Sequence, residues 1–115
     1  MSPTTIGRNL QTAVDAYLRD CFRLHTPPHV AELARRLGVT RLTLGKHFQA
    51  ITGIHLGAYF KQEQIACAKR LLRSTNWKVA TIARHAAFTS ERSFIRAFVR
   101  TTGITPTAFR RSLCR

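Results

Sequence analysis

Acidic side chains are scarce in this chain. Five Asp and Glu stand against nineteen Lys and Arg in 115 residues, a formal charge of +14 with His neutral. The imbalance runs along the whole sequence and not in a tail. It favours a polyanion as partner, nucleic acid first, with anionic membranes or acidic proteins behind it. Catalysis by carboxylates is thinly supplied: Asp15, Asp20, Glu32, Glu63 and Glu91 are all there is, and no nucleophile, base and orienter are suggestively spaced. No enzyme is expected. Cysteine is equally sparse. Cys21, Cys67 and Cys114 are odd in number and far apart, with no CxxC pair, which argues against a disulfide framework and for a reducing, cytoplasmic compartment. Cys21 and Cys67 fall at apolar helical positions and read as small core fillers, whereas Cys114 sits in the basic terminus. The five histidines lack ligand spacing, so neither a metal nor another cofactor is expected. No signal-peptide pattern is present, and no apolar run approaches the ~18 residues of a membrane helix. Period-two alternation is also missing, which excludes strands and leaves an all-α fold.

What the sequence does contain is a repeat. Phe48 to Ile54, FQAITGI, recurs as Phe98 to Ile104, FVRTTGI, fifty positions on. The similarity extends upstream through Leu44 with Phe94 and Thr40 with Ser90. Before that the offset falls to 49, since Leu33-Ala34 matches Ile82-Ala83. Two copies of one supersecondary unit therefore occupy most of the chain, with one extra residue in the second copy's turn.

Taken in order, Met1 to Thr5 reads as a disordered leader or a cloning remnant. From Ile6, the residues Leu10, Ala13, Val14, Tyr17, Leu18, Cys21 and Phe22 recur at three and four, one face of an amphipathic helix. Thr26-Pro27-Pro28 stops it, and a helix from about Pro28 to Leu37 follows, proline being tolerated in a first turn. In LARRLGVT, Gly38 can take the positive φ that ends a helix, Val39 plugs the turn and Thr40 can cap the next helix. Two short helices so joined make a helix-turn-helix. The second runs from Arg41 to about Thr52, with Gly45 inside it at about 1 kcal/mol relative to Ala. A longer helix, about Leu56 to Ser74, has Tyr59, Phe60, Ile65, Ala68, Leu71 and Leu72 as apolar positions. Val79 to Ala86 makes a short helix, Ala86-Ala87-Phe88-Thr89 a turn, and Ser90 caps a helix to about Thr102. Thr105-Pro106 opens a final helix through Leu113. The organisation is about seven helices: residues 6–55 hold the first helix and the first helix-turn-helix unit, 56–74 the linker helix, and 75–115 the second unit.

Three blocks, LARRLGVT…LGKHFQAITGI, YFKQEQIACAKRLL and IARHAAFTSERSFIRAFVRTTGITPTAFRR, resemble the DNA-binding domain of AraC/XylS-type transcription regulators over roughly Pro28 to Arg111. The resemblance implies two helix-turn-helix units on a long linker, reading two successive major-groove segments of double-stranded DNA. It adds RNA polymerase as a candidate partner. Two positions depart from the family pattern: Ala87 stands where Gly is usual in the second turn, and Gln64 where the linker helix usually has Arg. Family members commonly carry an effector or dimerisation domain, so the chain is expected to be either a stand-alone regulator or the DNA-binding part of one.

The reading helices can be oriented from their own periodicity. With Leu44, Phe48 and Ile51 inward, 100° per residue turns Leu42, Lys46 and Gln49 outward, with Gly45 and Thr43 at the flanks. With Phe94, Phe98 and Thr101 inward, Arg92, Arg96 and Val99 point out, with Ile95 beside them. The family's contact positions match Leu42, Gly45 and Lys46 in the first helix and Glu91, Arg92, Ile95 and Arg96 in the second. Arg92 and Arg96 can each present a two-donor fork to guanine, Leu42 suits a thymine methyl, and Glu91 can accept from a cytosine amine or simply favour the helix dipole. Phosphate contacts are expected from Thr40, Arg41, Thr43, Thr89, Ser90 and Ser93, near the two helix N-termini. Phe48, Phe60, Phe88, Phe94 and Phe98 fall on inward stripes, which counts against single-strand binding by exposed aromatics. A basic RNA-binding or ribosome-associated module would carry similar charge but does not explain a duplicated, capped turn. Two units in one chain, with no spare apolar face, favour binding as a monomer. A linker of about 18 residues is about 27 Å long at 1.5 Å per residue, commensurate with reading helices about 34 Å apart on DNA.

Overall fold

The computed structural model describes residues 3–113, and among these every regular element is helical. The order is α1 (Pro3–Leu24), α2 (Val30–Leu37), α3 (Arg41–Thr52), α4 (Leu56–Ser74), α5 (Val79–His85), α6 (Glu91–Thr102) and α7 (Pro106–Leu113). The molecule is elongated, 52 × 24 × 21 Å. No helix among the described residues is long and apolar enough to cross a membrane.

Helix α1 begins at Pro3, so helical backbone reaches into the stretch expected to be a disordered leader; Met1 and Ser2 lie outside the described residues. Its stripe of Leu10, Val14, Tyr17, Leu18 and Cys21 is buried as the three-and-four spacing requires. Helix α2 starts two residues later than the sequence suggests. The N–H of His29 donates to the Tyr17 hydroxyl at 2.8 Å, a tether from α1 that holds His29 extended and leaves Pro28 outside the helix. Helix α5 ends at His85, one residue short of expectation.

Two cores lie along α4. The first gathers Leu10, Val14, Tyr17 and Leu18 of α1, Leu33 and Ala34 of α2, Leu44 and Phe48 of α3, and the early α4 residues Leu56 and Phe60. The second gathers Ile65, Ala68 and Leu72 from the later part of α4 with Ile82, Ala83, Phe88, Phe94 and Phe98. All five phenylalanines assigned to the interior are buried. Full burial of such a side chain is worth about 1.5–3 kcal/mol. The inward stripe of each reading helix needs one correction. Ile51 is 48% exposed and Thr101 is also exposed; Thr52 and Thr102 take the inner position instead. The stripe advances by four residues, not three, and at the inner position Thr52 Oγ1 donates to the Phe48 carbonyl (2.8 Å) and Thr102 Oγ1 to that of Phe98 (2.8 Å). Each hydroxyl also accepts the N–H two residues on, tying the helix end to the following apolar residue.

Candidate nucleic-acid interface

Each reading helix is placed by a turn that sequence and hydrogen bonding both specify. In the first unit Gly38 has φ 71° and the Val39 N–H reaches the Ala34 carbonyl at 3.0 Å. In the second, Ala87 has φ 66° and the Phe88 N–H reaches the Ala83 carbonyl, also at 3.0 Å. These bonds match at the 49-residue offset, which puts the extra residue of the second copy at Thr89. The alanine where glycine is usual thus leaves the turn geometry unchanged.

Both reading helices are capped at their N-termini. Thr40 Oγ1 accepts the Thr43 N–H (3.1 Å), while Ser90 and Ser93 form a reciprocal capping box, with Ser93 N–H to Ser90 Oγ at 3.0 Å and Ser90 N–H to Ser93 Oγ at 3.3 Å. A cap of this kind serves the third helical N–H; the first two in each helix have no intrahelical partner and belong to exposed residues, as an anion site requires.

Of the expected base-reading residues, Leu42, Lys46, Gln49, Glu91, Arg92 and Arg96 are exposed, and Gly45 and Ile95 half-buried. Leu42 is 68% exposed, a large apolar side chain held in water at the front of α3. Ile95 is partly committed to packing on the second core. Among the expected phosphate ligands Thr40, Arg41, Thr43, Thr89 and Ser90 are exposed and Ser93 is half-buried. The second set is brought together: Ser90, Glu91, Arg92, Ile95 and Arg96 line one shallow groove of about 480 Å³. The first set is less unified, since Thr43 also lines an apolar recess between α1 and α3 with Leu10, Ala13, Leu37, Val39 and Leu44. That recess corrects the expectation of no spare apolar face. The ion pairs among the described residues are Arg23–Asp20 (3.3 Å) and Arg36–Asp20 (3.4 Å), so the cations of both reading helices are uncommitted to acids there.

Burial pushes the thiols of Cys21 and Cys67 up from their ordinary range, which suppresses thiolate and fits their role as core fillers. Cys114 lies outside the described residues. No group of three or more potential metal ligands occurs among the described residues.

Two residues that the sequence reading left without a role hold the second unit in place. Gln64, buried in α4, donates from Nε2 to the carbonyls of Ala86 (3.3 Å) and Ala87 (2.9 Å). Its spacing was a usable signal: Phe60, Gln64, Ala68 and Leu72 form one four-residue stripe, and a polar member of a buried stripe must have a partner. Arg110 of α7 donates to the carbonyls of Leu72 (3.4 Å), Thr75 (3.2 Å) and Trp77 (2.7 Å), pinning the end of α4 and the loop before α5.

Two capped helix-turn-helix units on a shared linker helix define a double-headed DNA-binding fold. A family model described as a helix-turn-helix domain matches residues 33–112, and the chain belongs to the AraC-type helix-turn-helix family. The HTH-type transcriptional activator AarP of Providencia stuartii is 35% identical over 81 residues, 70% of this chain and 60% of AarP. The regulatory protein PocR of Salmonella typhimurium is 28% identical over 100 residues, 87% of this chain but 31% of PocR. This chain therefore spans between about a third and three-fifths of those relatives. Among solved structures, the DNA-binding domain of the transcriptional factor AdpA in complex with a target DNA superimposes with a TM-score of 0.80 at 27% identity, covering 90% of each chain.

Proposed function

We propose that this chain binds double-stranded DNA sequence-specifically to regulate transcription, placing α3 and α6 in two successive major-groove segments. The observation that carries the reading is the duplicated, capped reading helix with its outer face exposed, on a fold shared with a domain solved on its target DNA. Base readout falls to Leu42, Gly45, Lys46 and Gln49 in the first unit and to Glu91, Arg92, Ile95 and Arg96 in the second. Thr40, Arg41, Thr43, Thr89, Ser90 and Ser93 hold phosphates. The buried aromatics offer no stacking platform, which disfavours a single-strand or RNA-binding module. Binding as a monomer is supported by the presence of both units in one chain. Contact with RNA polymerase is supported by an activator among the relatives. A cytoplasmic, non-catalytic role accords with the two buried free thiols and with a family of regulators.

Selection from a random duplex library at several salt concentrations tests this. The expected result is an asymmetric site bound by one chain, with log affinity falling by several units per log unit of salt, because each neutralised phosphate releases about 0.9 counterion. A flat salt response, or an RNA ligand preferred over every duplex, overturns it.

A further inference from the structure

Gln64 is the one amide-bearing or charged residue that is fully buried among the described residues, at 2% exposure. An apolar residue at that point of the α4 stripe would need no partner. What Gln64 supplies instead is a pair of donors for two consecutive carbonyls, Ala86 and Ala87. The last carbonyls of a helix lack intrahelical partners, and no turn or loop N–H reaches these two. Water does not replace them, because Ala86 and Ala87 are completely buried. In the first unit the corresponding residues, Leu37 and Gly38, are exposed, so solvent can serve their carbonyls. A buried carbonyl without a donor is costly, so the two bonds from Gln64 stabilise the second turn where it packs.

That turn is also where the halves meet. Ala87 packs into the first core while its neighbours Ala86 and Phe88 pack into the second. A crevice of about 260 Å³ opens there, lined by Pro27, Pro28 and His29 on one side, Thr89 and Ser93 on the other, and Gln64 between. Helix α6 is capped by Ser90, three residues beyond Ala87. Fixing the turn against α4 therefore fixes the start of α6 relative to the first unit.

We propose that Gln64 is a positioning residue that sets the register between the two reading helices, and through it the spacing the protein demands between the two DNA segments it reads. This rests on the DNA-binding reading above. Gln64 acts through Ala86 and Ala87 and makes no contact with DNA.

The test is a duplex selection with the full chain in which the distance between the two segments is varied. Gln64→Glu keeps the shape and replaces donors by acceptors, Gln64→Met keeps the length and removes the donors, and Gln64→Arg restores donors. Wild type is expected to select one spacing. The Glu variant should lose about tenfold or more at that spacing, having set acceptor against acceptor in a buried site. It should accept sites one base pair longer or shorter while keeping its base preferences within each segment. The Met variant should broaden less, and the Arg variant should keep the wild-type spacing. Folded Glu and Met variants, checked by circular dichroism, that retain the single spacing overturn the proposal; if the Glu variant does not fold, the Met variant decides it. An Arg variant as permissive as the Met variant also overturns it. A wild-type protein that selects no paired segments sinks the DNA-binding reading itself, a different outcome from a failure of Gln64 alone.

Discussion

The first unit ends α2 on Gly38 and the second passes through Ala87, yet the two turns close with the same 3.0 Å bond to the same point of the preceding helix. Helices α3 and α6 are both 12 residues long, and both stop at a glycine in the left-handed region, with φ 79° and 84°. What surrounds that shared backbone differs. The first unit leans on the 22-residue α1, its turn is exposed, and up to residue 55 seven basic residues face three acids. The second leans on the eight-residue α7, its turn is buried and clamped by Gln64, and from residue 75 eight basic residues face one acid. Duplication has kept the hydrogen bonds that shape the motif and let the exposed chemistry drift. An apolar side chain and a lysine front α3; two arginine forks front α6. The difference teaches that the two exposed faces are unequally equipped, the second better supplied with directional donors and with charge.

The largest expected effect tests whether the halves are also unequal in stability. Phe98 is fully buried and meets Phe94 and Phe109 edge-on, with ring centroids 5.7 and 5.5 Å away. Phe98→Ala should cost about 3–5 kcal/mol, measured by urea unfolding followed in the far-UV. Because both cores share α4 and the Ala87 joint, the loss should appear as one transition moved to lower urea. Two transitions, one unchanged from wild type, would mean that the first unit stands without the second.

A smaller effect separates the units as readers. Arg96→Ala should cost about 1–3 kcal/mol on the preferred site and relax the choice of base at one position. Lys46→Ala should change specificity less, since a lysine is a point donor without a planar fork. Loss of a phosphate contact would instead weaken all sequences alike and lower the salt slope by about one unit. Library selection on wild type and both variants at matched salt distinguishes these. If the Arg96 variant keeps every wild-type preference, the second unit is not the more discriminating reader.

Much of this fold was legible because its boundaries are written in local chemistry. Thr40 and Gly53, Ser90 and Gly103, and Thr105-Pro106 gave the ends of α3, α6 and α7 where the structure has them, and α4 matched from Leu56 to Ser74. What could not be read depends on contacts between distant residues. The start of α2 is held by Tyr17, twelve residues back. Ile51 and Thr52 are equally plausible inner neighbours of Phe48 by angle alone, and the threonine's hydroxyl bond to the helix carbonyl accompanies the second choice. Gln64 declared itself polar on a buried stripe, but its partners lie 22 and 23 residues away across the joint. The exposure of the candidate interface was legible, as two outward faces with named donors; which base each would meet depends on a DNA sequence the chain does not encode.

The smallest effect bears on the turns themselves. Gly38 has φ 71°, and a Cβ placed there would meet nothing within 4 Å. Gly38→Ala therefore carries only the cost of a side chain in the left-handed region, offset in part by the stiffer unfolded chain, and should destabilise by about 1 kcal/mol. The reverse change at the matching position has opposed terms. Ala87→Gly relieves a comparable strain at φ 66°. It also gives the unfolded chain more freedom, about 0.4–1 kcal/mol, and removes a wholly buried methyl worth about 0.8 kcal/mol from the first core. These nearly cancel, so Ala87→Gly should lie within about 0.5 kcal/mol of wild type by the same urea measurement. If it instead stabilises by as much as Gly38→Ala destabilises, the Ala87 methyl contributes nothing to packing. The second turn would then be held by the Gln64 hydrogen bonds without help from that methyl.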